Sequence, residues 1–261
     1  MATLLTVKLD GDMPEPLVFR CANQLPAHAV WPLHTHGAGE FVYSFSGVME
    51  IHAGGTRLLA PPQYGVWLPP DVAHIGLNRT SASHASLYVA RPLCAALPMH
   101  ACALALSPLI LSLLEHLRSH AVHRDAAAWQ RLLQVLLDEL CHAPCAGSYL
   151  PSSSDPALAR LLAWLEAHPD EPRTLAALAR QVNSSERTLM RRAQRDLGMP
   201  LSEWRQRLCT LQAMPLLAAG HTVESVALAL GYASASAFIA MFRQRMGLTP
   251  AEFSASSRRG T

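Results

Sequence analysis

The C-terminal third of this 261-residue chain repeats itself, and an internal repeat constrains the fold more than any other feature of the sequence. The segment LAALARQVNSSERTLMRRAQRDLGMPLSEW aligns with VESVALALGYASASAFIAMFRQRMGLTPAEF. Matched positions lie 48 and then 49 residues apart: Ala179 and Ala227, Leu189 and Phe238, Ala193 and Phe242, Gly198 and Gly247, Glu203 and Glu252, Trp204 and Phe253. The repeat predicts one small structural unit used twice.

Each copy has the start and stop signals of two short helices joined by a tight turn. A small alanine at the turn lets the two helices approach each other. The corresponding signals are Thr174 and Thr222 before the first helix, Ser185 and Ser234 before the second, and Gly198 and Gly247 after it. The pattern therefore predicts two helix-turn-helix units.

The segment between the copies, LSEWRQRLCTLQAMPLLAAG, predicts one connecting helix. A helix of roughly 19 residues is roughly 28 Å long at 1.5 Å per residue. With the helix ends added, this length approaches the roughly 34 Å between successive major-groove faces on one side of duplex DNA. Pro215 lies inside the segment and predicts a kink, because proline removes a backbone hydrogen bond.

Charge is distributed unevenly along the chain. Up to Pro151 there are 8 Lys and Arg against 10 Asp and Glu, whereas from Ser152 onward there are 13 Arg against 9 acidic residues. Lys8 is the one lysine of the chain, so the cations of the back half are all arginines. Arginine makes bidentate contacts to phosphate and guanine, which favours a nucleic-acid partner.

The front of the chain predicts a different fold. Stretches such as EFVYSFSGVMEIHA alternate with period two and are broken by Gly and Pro, as in a barrel or sandwich of short strands. From Ser107 the leucine spacing becomes helical, and Pro- and Ser-rich PCAGSYLPSSSDP follows. We predict a barrel at 1–106, a helical hairpin at 107–143, a linker at 144–156 and a DNA-binding domain at 157–261.

The stretch from Thr174 to Phe253, above all ALALGYASASAFIAMFRQRMGLTPAEF, resembles the AraC/XylS family of bacterial transcription regulators. The resemblance implies that both recognition helices dock on one face of duplex DNA near a promoter or operator. By position, it implies that base readout falls to Arg187 and Arg191, for which a solvated charged face is the alternative. The full set of implied DNA-binding residues is Ser185, Glu186, Arg187, Met190, Arg191, Arg192, Arg195, Ser234, Ser236, Ala240, Arg243 and Arg245.

The roles within that set differ. Arg192 and Arg195 are expected at phosphates. The second recognition helix has Ala235, Ser236, Ile239 and Ala240 at the base-facing positions, so it is poor in hydrogen-bond donors. This departs from better-known members, and we expect thymine-methyl contacts and phosphate anchoring there, the latter through Ser234, Ser236, Arg243 and Arg245.

The stretch HTHGAGEFVYSFSG resembles the first motif of metal-binding cupin barrels, and Gly65, Pro69, His74 and Asn78 resemble the second. The resemblance implies a metal site made by His34, His36, Glu40 and His74. Three imidazoles and a carboxylate suit Fe, Ni, Zn, Mn or Cu alike. The alternative is that these side chains form only the polar lining of a pocket for a small molecule.

Two further surfaces carry predictions with alternatives. An aromatic-rich set is expected to wall the effector pocket, or else to be plain core: Trp31, Phe41, Tyr43, Met49, Trp67 and Tyr88. The leucine faces of the hairpin are expected to form a homodimer contact, or else to pack on the barrel: Leu109, Leu113, Leu117, Leu132, Leu133, Leu136 and Leu137.

Cys141 and Cys145, in CHAPC, lack a second pair, and scattered cysteines predict reduced thiols.

These features together predict an α+β two-domain protein, with a cupin-type β-barrel and helical hairpin followed by an all-α domain of two helix-turn-helix units. We expect a cytoplasmic, dimeric DNA-binding regulator without a membrane span, which responds to a small-molecule or metal effector and contacts the transcription machinery if it is an activator. The alternative is a cupin metalloenzyme, an oxygenase or isomerase, fused to a DNA-binding domain.

Overall fold

The computed structural model divides the chain into two units, Met1–Tyr149 and Leu150–Thr261. It describes residues 3–5, 15–78, 81–120 and 125–259. Strands fill most of the first unit and helices the second, which confirms the predicted two-domain α+β fold.

Two sheets form the first unit. The described strands are β1 (Thr3–Leu4), β2 (Leu17–Leu25), β3 (Ala29–His34), β4 (Gly39–Ser46), β5 (Met49–Ala53), β6 (Thr56–Ala60), β7 (Tyr64–Leu68), β8 (His74–Asn78), β9 (Ala82–Val89), β10 (Cys102–Ala105) and β11 (Cys145–Gly147). One sheet has the order β1-β3-β8-β5-β6 and the other β11-β10-β7-β4-β9-β2. Pairing is antiparallel in both sheets except between β1 and β3.

The central strand β4 separates two hydrophobic cores, because successive side chains of a strand point to opposite faces. Val42 packs in one buried cluster with Met49, Ile51 and Leu68. Phe41 and Tyr43 point the other way, into the cluster that the hairpin helices cover. A Cβ at Gly65 would lie 2.1 Å from the Phe41 ring, so glycine leaves room for that ring.

The two hairpin helices, α1 (Pro108–His120) and α2 (Ala126–Cys141), cover the outer face of this sheet. Among the predicted dimer residues, Leu117, Leu133, Leu136 and Leu137 are buried in the cluster of Phe41 and Tyr43. The prediction that these four leucines form a dimer contact is therefore wrong, because they are buried against the barrel of the same chain. Leu109 stays 50% exposed, and dimerisation stays a prediction.

Part of the predicted linker belongs to the first unit. Within 144–156, β11 pairs with β10, and Tyr149 is buried. Asp155 accepts hydrogen bonds from the first backbone N–H groups of the next helix. Edge-strand pairing needs only backbone groups, so proline and serine nearby do not prevent it.

The second unit contains the repeat. Its described helices are α3 (Pro156–Ala167), α4 (Leu175–Gln181), α5 (Glu186–Leu197), α6 (Leu201–Ala218), α7 (Val223–Ala229), α8 (Ala235–Met246) and α9 (Pro250–Arg259). Thr174, Ser185, Thr222 and Ser234 each accept a hydrogen bond from a first-turn N–H at α4, α5, α7 and α8. Gly198 and Gly247 end α5 and α8 with positive φ angles of 69° and 71°, the conformation that glycine adopts most easily.

The connecting helix α6 forms the centre of the second unit. Trp204 and Phe253, matched positions of the repeat, are 1% and 5% exposed. The helix continues through Pro215 to Ala218, so the proline does not end it. In the part of the chain that the structure describes, no helix is both long and apolar enough to cross a membrane.

Candidate functional site

Four side chains from both sheets meet at one end of the barrel. His34 ends β3 and His74 begins β8, and the two residues face each other directly in the pairing of these strands. His36 follows in the loop, and Glu40 comes from β4 in the other sheet. One ligand nitrogen from each histidine lies within 4.8 Å of the others, so the three rings surround one point.

Backbone carbonyls fix the orientation of all three rings. His34 Nδ1 donates to Pro32 O at 2.7 Å, His36 Nδ1 to Ala38 O at 2.8 Å, and His74 Nδ1 to Val72 O at 2.9 Å. Because a carbonyl oxygen only accepts, Nδ1 carries the hydrogen and Nε2 is left available. Histidine ligands at metal sites usually donate their other ring N–H to a carbonyl or carboxylate in this way.

The carboxylate of Glu40 faces the rings. Its Oε2 lies 3.1 Å from His36 Nε2 and 3.5 Å from His74 Nε2. Burial opposes ionisation of Glu40, but hydrogen bonds from His36, His74 and Ser86 outweigh it and hold the pKa of the carboxyl well below its usual range. Glu40 is thus a buried anion that is stabilised by the hydrogen bonds it accepts.

The pKa values of His36 and His34 are shifted in opposite directions. For His36, burial lowers the pKa, yet the hydrogen bond and the charge of Glu40 prevail, and the net pKa is raised. For His34, burial dominates and lowers the pKa. Its Nε2 is buried without a hydrogen-bond partner among the described residues. A bound cation would satisfy that nitrogen and replace the proton between His36 and Glu40.

A cavity of about 50 Å³ adjoins this centre. Of the predicted pocket walls, Trp31, Met49 and Tyr88 line it. Phe41, Tyr43 and Trp67 do not, and this corrects the prediction: they lie in the core beneath the helices. The cavity is far smaller than the ~300–1,000 Å³ of pockets for drug-sized ligands.

Sequence reasoning missed two polar residues of this cavity, His84 and Ser86 on β9. In the pairing of β4 with β9, Glu40 lies opposite Tyr88, and each further step of two residues keeps the same face. Burial lowers the pKa of His84 to about 4, and its ring packs edge-on against Trp31 at 4.9 Å. Counting in steps of two from Tyr88 would have found both residues.

The predicted DNA-reading residues lie on the outer face of α5. Glu186, Arg187, Met190 and Arg191 are all exposed. Neither Arg187 nor Arg191 forms an ion pair with any residue that the structure describes. Ser185 uses its hydroxyl as the N-cap of α5. Two unpaired guanidinium groups one helical turn apart can reach an external partner.

The other two arginines of α5 are held by acidic residues. Arg192 Nε lies 3.4 Å from Asp155 Oδ2, and Arg195 contacts both Asp155 and Asp196, the latter at 2.5 Å. Both arginines therefore have internal partners, and their phosphate contacts stay a prediction. Asp155 lies far away in sequence, so the pairing had no local signal.

The second recognition helix, α8, has few exposed donors, as its sequence predicted. Ser234 caps the helix through Ala237 N, while Ser236, Ala240 and Arg243 are exposed. Arg245, for which a phosphate contact stays a prediction, has partners within the protein. Its guanidinium donates to Glu203 at 3.0 Å and to Gln206 at 2.6 Å and thereby joins α8 to α6.

Comparisons with known proteins bear on both units. A model of a helix-turn-helix domain family matches residues 178–256. The chain is 33% identical over 223 residues to the HTH-type transcriptional regulator NimR of Escherichia coli (strain K12), covering 85% of this chain and 81% of NimR. It is 29% identical over 94 residues to the regulatory protein SoxS of the same organism, covering 36% of this chain and 88% of SoxS.

Among solved structures, ToxT from Vibrio cholerae aligns over 93% of this chain and 99% of its own. The TM-score is 0.40 at 9% sequence identity.

Proposed function

The chain belongs to the AraC/XylS family of DNA-binding transcriptional regulators, and on this premise we propose that its N-terminal barrel senses a ligand and thereby controls DNA binding. The relatives are regulators, which confirms the predicted family and the prediction that the protein is not an enzyme. The cupin metalloenzyme, as the alternative, is set aside on this ground.

In our proposal the barrel ligand is a first-row divalent metal, Fe, Ni, Zn, Mn or Cu. One observation carries it: three histidines with Nδ1 held by backbone carbonyls direct their remaining nitrogens to one point beside the buried Glu40 carboxylate. The unpartnered buried Nε2 of His34 supports the same proposal. The metal would be held by His34, His36, Glu40 and His74.

A small molecule is the second candidate ligand, favoured by the cavity beside the centre. Its apolar walls include Trp31, Met49 and Tyr88, and its polar wall includes His84 and Ser86. The cavity volume of about 50 Å³ restricts a ligand of the present conformation to a few heavy atoms.

For DNA recognition we propose that Arg187 and Arg191 contact guanine edges in the major groove and that Arg243 contacts phosphate. Their exposure supports these roles. We further propose that the regulator acts in the cytoplasm as a homodimer at a promoter or operator, and that it contacts the transcription machinery if it is an activator. Leu109 and Val135 are exposed apolar residues of the hairpin and are available for such a contact.

Ligand control requires two states of the protein that differ in affinity for DNA. A metal shifts the balance between them only if it binds one state more tightly than the other. By linkage, the preferred DNA would then change the affinity for the metal by the same factor.

The first experiment is elemental analysis of the untagged protein beside two variants, His36→Ala and His142→Ala. We expect the wild type and His142→Ala each to contain one equivalent of a first-row metal per chain more than His36→Ala, because only His36→Ala loses the barrel centre. His142 is an exposed histidine at the end of α2 and serves as the matched control. Absence of metal from all three folded proteins would make the histidines the polar lining of a small-molecule pocket.

A further inference from the structure

A second cluster of ligand-type side chains lies at the β11 edge of the larger sheet, outside the barrel centre. His100 precedes β10, Cys102 begins it, and Cys145 begins the neighbouring strand β11. Their ligand atoms all lie within 4.8 Å of one another. Cys145 Sγ is 3.8 Å from His100 Nε2. The pair seen in the sequence, Cys141 and Cys145, is not the pair that the fold brings to the cluster.

The ligand atoms are spaced closely enough to be compared with those of a tetrahedral site. With metal–sulfur and metal–nitrogen distances of about 2.3 and 2.0 Å, neighbouring ligand atoms of a tetrahedral zinc site are about 3.5–3.8 Å apart. The Cys145 Sγ–His100 Nε2 separation of 3.8 Å is slightly longer than the about 3.5 Å expected for a sulfur and a nitrogen of one such site, so binding needs only a small movement of the side chains. The strand pairing shifts register between Ala103 and Leu104, and such bulges re-aim side chains next to sites.

We propose that His100, Cys102 and Cys145 form a site for a thiophilic cation such as Zn²⁺, with the fourth position open to water. Two thiolates and an imidazole select soft and borderline cations. The imidazole argues for a cation over a disulfide, because a disulfide needs no third donor. Each thiol would release its proton on binding.

The position of the site gives it a consequence for the chain. Cys145 and His100 are exposed, so a cation has access, whereas Cys102 is buried and anchored in the core. A bound cation would tie β11 to β10. Because β11 ends at Gly147 and the first unit ends at Tyr149, the cation would fix the segment that leads out of this unit.

The test uses Co²⁺ as a spectroscopic probe on the untagged, reduced full-length protein. Thiolate ligands give sulfur-to-cobalt charge-transfer absorption, which the imidazole and carboxylate donors of the barrel centre cannot give. We expect this absorption in the wild type and in His36→Ala, and its loss in Cys145→Ser. Zn²⁺ should displace Co²⁺. Cys145→Ser removes a direct ligand and should weaken Zn²⁺ binding in a chelator competition by about 100-fold or more, since loss of a group that only supports a ligand already costs about 10- to 100-fold.

The matched control is Cys141→Ser, four residues away on α2 and outside the cluster. It should keep the absorption of the wild type. The proposal is overturned if the wild type shows no charge-transfer absorption, or if Cys145→Ser keeps it, or if Cys141→Ser loses it equally. Thiol titration of the denatured protein supplies a second readout: a Cys102–Cys145 disulfide that persists in the freshly reduced protein would also overturn it.

Discussion

At the scale of single residues, the four arginines of α5 divide into two pairs with different surroundings. Arg192 and Arg195 contact Asp155 or Asp196, whereas Arg187 and Arg191 are exposed without an ion pair among the described residues. An arginine that already neutralises a carboxylate contributes less to an external phosphate. Sequence-specific readout is therefore expected from the exposed pair.

Arg191→Ala should weaken specific DNA binding far more than nonspecific binding. Loss of one bidentate contact to guanine costs about 1–3 kcal/mol, which is about 5- to 150-fold in affinity. Affinities for a preferred and an unrelated duplex at one salt concentration measure the difference. Arg195→Ala is the control and should leave the ratio of the two affinities unchanged. Equal losses on both duplexes would make Arg191 a phosphate contact instead.

His84 gives the first unit a dependence on pH. Burial lowers the pKa of His84 from an ordinary 6.5 to about 4, so the folded state stays neutral where the unfolded chain takes up a proton. The free energy of unfolding should therefore fall as pH drops from 6.5 toward 4, by about 3 kcal/mol at most from this group.

Urea denaturation of the wild type, His84→Gln and His142→Gln at pH 7 and pH 4.5 tests this dependence. His84→Gln should lose less stability on acidification than the wild type, while the exposed His142 should make no difference. An identical loss in His84→Gln would assign the effect to other groups.

At the scale of elements, the sequence correctly predicted the helix ends, because these depend on residues that are adjacent in the chain. The caps at Ser185 and Ser234 and the terminal glycines of α5 and α8 follow from a few adjacent residues, and the structure contains them. Phe41 and Tyr43 were wrongly predicted to line the pocket, because their side chains point to the opposite face of β4 from that of Glu40. Strand alternation in the sequence was sufficient to exclude both.

Other contacts had no signal in the sequence, because their partners are distant along the chain. Arg245 and Glu203 are 42 residues apart, and Cys102 and Cys145 meet only because β11 pairs with β10. Sequence periodicity shows which residues share a face of one element. It does not show which element will cover that face. For this reason the spacing of the hairpin leucines was equally consistent with a dimer contact and with packing on the barrel.

Arg245 should be structural, whereas Arg243 on the same helix should contact DNA. Arg245→Met leaves Glu203 and Gln206 without their α8 partner, and we expect a loss of about 1–3 kcal/mol in the stability of the protein. Arg243→Met should leave stability unchanged and weaken binding to all duplexes alike. Thermal melting and DNA titration of both variants measure this contrast. Unchanged melting of Arg245→Met would contradict the structural role.

At the scale of the whole molecule, the protein combines a candidate metal centre with a DNA-binding domain in one chain. The centre and the exposed arginines belong to different units. A metal at the centre can therefore change the affinity for DNA only by changing the relative free energies of two states of the protein. Coupling between effector and DNA sites is typically about 1–3 kcal/mol, or about 5- to 150-fold in affinity.

The most direct test of this account is the DNA affinity of metal-loaded and metal-stripped protein. The duplex is one selected by the protein from random sequences, and an unrelated duplex and the His36→Ala variant are the controls. We predict that metal changes the affinity of the wild type for the selected duplex by about 5-fold or more, and leaves that of His36→Ala unchanged. Equal affinity of the loaded and stripped wild type would contradict the proposal that the barrel senses a metal.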